Sequence, residues 1–270
     1  MNILKNSIAS LIILATFTIQ AYATEGVKIT SNTKNLSSGN VSITNIYMTS
    51  DKVLVENKGG SDNGTFMFNA AKEEFSYIDH NKREYYFFDK PALDELKKQV
   101  QTMVMMMKQF ASPEQKKKLD KMLNPNGTGG TQFKATGKKS KINKWATLQY
   151  EGTAEGNKIT EMYIADFSTV KLKKNDFKAM ESLVTYFKVN LSEIVGLLPA
   201  GGSFSQIGFD DSSPIFKEGI PVKTISFKNG TADNENLVKN VSKQDLKDSI
   251  FEIPAGYTRQ QLKMDGNFGR

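Results

Sequence analysis

His80 is the one histidine in 270 residues, and no cysteine accompanies it. It is therefore the first place to look for catalysis or metal binding. It lies in "FSYIDHNKREYYFFDKPALDEL", residues 75–96, between two aromatic runs and just before a helical pattern. A metal site would need a second histidine or a cysteine. Asp79 is adjacent, but neighbours at a strand end point apart. A nucleophilic triad would need a serine and an orienting acid. No G-x-S-x-G occurs, and "GGSF" (201–204) lacks the final glycine. Asp79-His80-Asn81-Lys82 reads instead as an exposed hairpin tip, because Asp and Asn tolerate turn geometry.

The remaining acids offer little more. Glu73-Glu74 and Asp210-Asp211 are adjacent pairs, which diverge on a strand and are ordinarily solvated in a loop. Phosphate-loop, zinc-helix and dinucleotide fingerprints are all missing. No catalytic residue, metal or cofactor is expected, and the chain reads as non-enzymatic.

Methionine is more informative. "TMVMMMKQF" spans 102–110. Leu93, Leu96, Val100, Met103, Met107 and Phe110 recur at steps of three and four, one helical face turned to a core. Met106 stands at the edge of that stripe and Met105 nearly opposite. A helix apolar on most of its circumference is buried on both sides or touches something apolar, and methionine is favoured on surfaces that accept varied hydrophobic partners. Thioethers also suit copper(I), but a cluster without histidine or cysteine is a poor metal site. The expected ligand-binding residues are Met103, Val104, Met106, Met107 and Phe110, together with Tyr85 and Phe87 from the aromatic run, with Tyr86 and Phe88 as the alternative inward pair.

These residues need a frame to hold them. β-branched or alternating segments at 27–33, 41–49, 52–57, 64–69, 73–79 and 83–89 are separated by turn residues such as Ser38-Gly39-Asn40. They predict a six-stranded antiparallel meander. Asp89 and Pro91 open the first helix. Ser112, Pro113 and Gln115 open a second with a capping box. Strands return at 131–137, 145–152 and 158–167. A long helix follows from Lys174 to about Leu198, and strands at 220–230, 234–242 and 249–254 end the chain. Burying the sheet face and the helix stripes together favours an α+β domain, a curved antiparallel sheet with helices over its concave face. One domain, 24–270, is expected, with helical insertions at about 90–123 and 174–198.

The chain opens "MNILKNSIASLIILATFTIQAYATEG". A lysine, an apolar run too short for a bilayer, which needs roughly 20 residues, and Ala21-Tyr22-Ala23 make a secretory signal over 1–23. The protein is expected in the periplasm or outside the cell. Its formal charge is +7, with lysine clusters at 115–121, 137–144 and 171–178. These suit solubility, or an anionic envelope component as partner. A nucleic-acid partner is not expected, and the sequence does not set the oligomeric state.

"YIDHNKREYYFFD", "SPEQKKKLDKML", "MYIADFSTVKLKKNDFKAMESL" and "FEIPAGYTRQQL", in that order, resemble an uncharacterised family of exported bacterial proteins. That family is similar in plan to the periplasmic lipoprotein-carrier fold of the LolA/LolB kind. The resemblance implies a half-barrel closed by helices, with a lipid or hydrophobic segment as the ligand class. Many relatives carry a cysteine in the strand written here "WATLQYEG", where this chain has Thr147 or a neighbour instead. An envelope scaffold without a small ligand is the competing expectation.

Overall fold

The structure is a computed structural model, and it describes residues 23–59, 63–123, 131–190, 213–215 and 217–261. Residues 1–22 of the expected signal segment, Asp210-Asp211, "GGSF" and residues 191–198 of the expected third helix lie outside those residues. So do the side chains of Leu119, Met122 and Leu123.

Six strands form the expected meander: β1 Ala23–Asn35, β2 Val41–Met48, β3 Lys52–Lys58, β4 Gly64–Asn69, β5 Glu74–Asp79 and β6 Glu84–Phe88. Helices α1 Lys90–Phe110 and α2 Pro113–Leu123 follow. Next come β7 Gln132–Ile142, β8 Trp145–Ala154 and β9 Asn157–Ala165, then a 3-10 turn at Lys174–Phe177 leading into α3 Lys178–Asn190. The described residues end with β10 Ile220–Lys228, β11 Thr231–Lys247 and the short β12 Thr258–Gln260. All twelve described strands join one unclosed sheet, in the order β12-β6-β5-β4-β3-β2-β1-β11-β10-β9-β8-β7. Every pairing is antiparallel except β12 on β6. The sheet with its three described helices is the α+β half-barrel.

The caps act as the sequence implies. The Asp89 carboxylate accepts from the Ala92 backbone N–H at 3.0 Å. Ser112 and Gln115 bond reciprocally, at 2.8 Å and 3.3 Å. Asp176 reaches back to the Lys173 backbone N–H at 2.8 Å and starts the turn before α3.

The main core lies on one face of the sheet. Val53, Phe68, Phe75 and Phe88 from the strands meet Leu93, Leu96 and Val100 of α1 and Leu183, Tyr186 and Phe187 of α3. It continues through Val27, Ile29, Val238, Ile220, Ala165 and Trp145. The Tyr186 hydroxyl donates to the Phe88 carbonyl and ties α3 to β6. A smaller cluster of Leu54, Met67 and Ile78 occupies the opposite face, where Tyr47, Tyr85, Phe251, Ile253 and Tyr257 pack on it.

One expectation is corrected. Residues 249–254 do not form a strand: Asp248–Phe251 is a 3-10 turn. Its Asp248 meets Lys52 at 3.1 Å, and the segment caps the second cluster. The last strand is β12, three residues whose pairing with β6 no local pattern announced. The C-terminal strands also pair with β1 in the middle of the sheet.

Candidate functional site

α1 divides in two. Leu93, Leu96 and Val100 are buried, and Met103 and Val104 are partly buried against the main core. Beyond them the helix leaves the core. Met105 is 67% exposed, Met106 55%, Met107 44% and Phe110 82%. Met107 and Phe110 were expected to continue the core stripe, and they do not. The buried stretch, Leu93 to Val100, covers about 10 Å of a helix about 32 Å long at a rise of 1.5 Å per residue. The helix overhangs what it packs against. An ion pair from Lys108 to Asp120 at 2.9 Å joins this end to α2.

The aromatic run resolves by alternation. Tyr86 and Phe88 lie on the helix-covered face. Tyr85 packs in the opposite cluster. Phe87 stacks edge-on to Tyr85, with ring centroids 5.3 Å apart, beneath the Arg259 guanidinium at 5.0 Å. Tyr85 and Phe87 are therefore placed on the face away from Met103, Val104, Met106, Met107 and Phe110, contrary to expectation. The sequence offered no warning because both faces of β6 are apolar, one covered by helices and the other by the C-terminal segment.

His80 does turn a hairpin. The Asp79 carboxylate accepts from the Asn81 and Lys82 backbone N–H groups, both at 3.0 Å. It is not the exposed tip expected. Thr65 Oγ1 lies 2.7 Å from Nε2 and Tyr257 OH 2.9 Å from Nδ1, and the Tyr257 ring stands edge-on at 5.8 Å. Both nitrogens are occupied in joining the hairpin to the C-terminal segment. Among the described residues no group of three or more His, Cys, Asp or Glu is placed to hold a metal ion.

Sequence reasoning missed a polar cluster that runs across β8, β9, β10 and β11. Lys158 Nζ meets Glu151 at 2.9 Å and Glu161 at 2.6 Å, Tyr163 donates to Glu161, and Lys223 pairs with Glu235 at 2.8 Å. Period-two spacing of Glu161 and Tyr163 was the available signal, but the cross-strand partners depend on register. For Glu161, burial works against the charged form, but hydrogen bonds from Lys158 and Tyr163 outweigh it and hold the carboxyl below its usual range. The bond to Glu161, with burial, pushes the Tyr163 hydroxyl up to about 12. That is opposite to what a catalytic tyrosine needs near neutrality. The cluster is a strand-face ion network.

A cleft of about 540 Å³ opens between the start of β8, the loop Thr169–Leu172 and the second half of β11. Its lining includes Lys144, Trp145, Val170, Lys171, Leu172 and Lys243.

No family model matches the chain, and no curated protein does. Among solved structures, the chain is similar to an uncharacterized conserved protein from Thermus thermophilus, with TM-score 0.45 and 9% identity over 88% of this chain and 90% of that one. It is also similar to MucB, solved in complex with MucA(peri), with TM-score 0.38 and 8% identity over 89% of this chain and 57% of that one. A LolA superfamily protein from Nitrosomonas europaea matches with TM-score 0.28 and 7% identity over 86% and 91%. Scores and identities this low carry nothing about ligand or activity.

Proposed function

We propose that the protein is an exported, non-enzymatic binding protein that takes a lipid chain or other hydrophobic segment at the methionine-rich end of α1. The supporting observation is the exposure of Met105, Met106, Met107 and Phe110 together on one helix end. Full burial of such a side chain contributes roughly 1.5–3 kcal/mol, so a ligand that covers them recovers a few kcal/mol. Contiguous exposed apolar groups of this kind mark interaction surfaces, and unbranched methionines adapt to varied partners. Met103 and Val104, half-buried at the junction, would form the floor where ligand meets core. The engagement of both His80 nitrogens favours binding over catalysis.

Delipidated protein should take up a fluorescent fatty-acid probe, and Met105→Lys with Met106→Lys should weaken uptake. A specific observation favours a second reading: the space between sheet and helices is filled by the protein's own side chains, Phe68, Phe75, Leu96 and Phe187 among them. On that reading the protein is an envelope interaction or scaffold module without a small ligand. A well-folded sample that takes up no probe would select it.

A further inference from the structure

The accessible sulfur of this chain is gathered in one place. There is no cysteine, so methionine thioethers are its only sulfur groups. The described methionine side chains fall into three sets. Met48, Met67 and Met162 are buried. Met103 and Met180 are partly buried against the main core. Met105, Met106 and Met107 are exposed, consecutive in sequence, and carried on the end of α1 that has left the core. The other readily oxidised side chain, the single tryptophan Trp145, is buried. Oxygen transfer requires the oxidant to touch a sulfur lone pair, so susceptibility follows exposure where no thiolate competes. Among the described residues, an oxidant arriving from solvent therefore meets Met105, Met106 and Met107 first.

Their position decides what oxidation does. In a core, a sulfoxide puts a polar group among apolar neighbours and disrupts the packing. Here the helix is anchored through Leu93, Leu96 and Val100, all before the exposed methionines, so sulfoxides at 105, 106 and 107 leave that anchor whole. What they remove is apolar surface. Each flexible thioether becomes a dipolar group solvated by water, and that water must be stripped before an apolar chain can cover it. The fold is kept and the surface is changed, which is the requirement for a switch rather than a lesion.

We propose that Met105, Met106 and Met107 form a reversible oxidation site that switches the end of α1 from holding an apolar ligand to releasing it. The switch rests on α1 being the ligand surface. The oxidant is a peroxide. A sulfur lone pair attacks one peroxide oxygen, and the O–O bond breaks as the S–O bond forms. The proton on the transferred oxygen passes to the departing hydroxide, which leaves as water. Sulfur has lost two electrons and the peroxide has gained them. A methionine sulfoxide reductase reverses the step with two electrons from a dithiol, the oxygen again leaving as water.

Folded protein would be treated with a graded series of hydrogen peroxide. Cleavage after lysine puts Met105, Met106 and Met107, with Met103, on the peptide 99–108, Met48 on 35–52, Met67 on 59–72 and Met162 on 159–171. Mass spectrometry with fragmentation then follows the gain of one oxygen at each methionine. The exposed three should oxidise at least about tenfold faster than the buried three, with the thermal melt unchanged. Affinity for the fluorescent fatty-acid probe should fall about tenfold and return after treatment with reductase and dithiothreitol. Met105→Leu with Met106→Leu and Met107→Leu keeps side-chain volume and helix propensity. Whatever its own affinity, that variant should bind the probe equally before and after peroxide. Oxidation of Met48, Met67 or Met162 as fast as the exposed three, or a melt that falls in step with them, would overturn the modification site. Affinity unchanged by three sulfoxides, or an equal loss in the leucine variant, would overturn the switch. If untreated, folded protein takes up no probe, the ligand reading of α1 falls and the switch with it, while the order of oxidation still judges the modification site by itself.

Discussion

His80 illustrates how a chemically capable residue is used structurally. Its ring bridges Thr65 and Tyr257, so His80→Ala leaves two hydroxyls without their partner. A cost of about 1–3 kcal/mol is expected, measured by urea unfolding, with probe binding at α1 unchanged. The turn itself was legible, since Asp79 and Asn81 are turn formers. The burial was not, because Tyr257 arrives from 177 positions away. Glu161 gives a pH-dependent outcome. Its carboxyl binds a proton near 4.5 when unperturbed and lower in the folded chain. The stabilisation is therefore fully present above the unfolded value and is lost as pH falls through the folded one. Glu161→Gln should lower stability at neutral pH and flatten the decline below about pH 5 in a stability–pH series.

At the scale of elements, α1 and α3 differ in what holds them. α3 buries Leu183, Tyr186 and Phe187, and its tyrosine hydroxyl closes on β6. Tyr186→Phe removes the hydroxyl that donates to the buried Phe88 carbonyl and should cost about 1–3 kcal/mol, with faster hydrogen exchange concentrated in α3. α1 is anchored only as far as Val104. Its exposed methionines contribute little to folding, so Met105→Lys with Met106→Lys should move stability by no more than about 0.5 kcal/mol, while a structural role would demand more. The cap at Asp89, the box at Ser112 and Gln115, and nearly every strand were legible because they follow from local spacing. The exit of α1 from the core after Val104 was not. Helical periodicity states which residues share a face, and says nothing about how far the facing sheet extends. The inward pair in "YYFF" was equally hidden, because apolar cover on both faces erases the alternation that would identify one.

The whole molecule depends on a pairing that local reasoning does not reach. β1 joins the N-terminal meander to β11 along thirteen positions from Ala23 to Asn35, so the two halves of the chain make one sheet. β7 lies at one margin of that sheet, almost wholly exposed. Lys134, Lys138, Lys139 and Lys141 line it, and its register shifts between Ala135 and Lys139. Charges and a bulge on an edge strand discourage pairing with another chain. Replacing Lys139 and Lys141 with threonine should increase self-association, seen as concentration-dependent sedimentation.

The proposed binding surface at the end of α1 can be read atom by atom with protein labelled at the methionine methyl carbons. On addition of the fatty-acid probe, the resonances of Met105, Met106 and Met107 should shift saturably, while those of the fully buried Met48 and Met162 stay fixed. Uptake of probe that leaves the three exposed methyls unmoved, or no uptake by folded protein, would contradict the account.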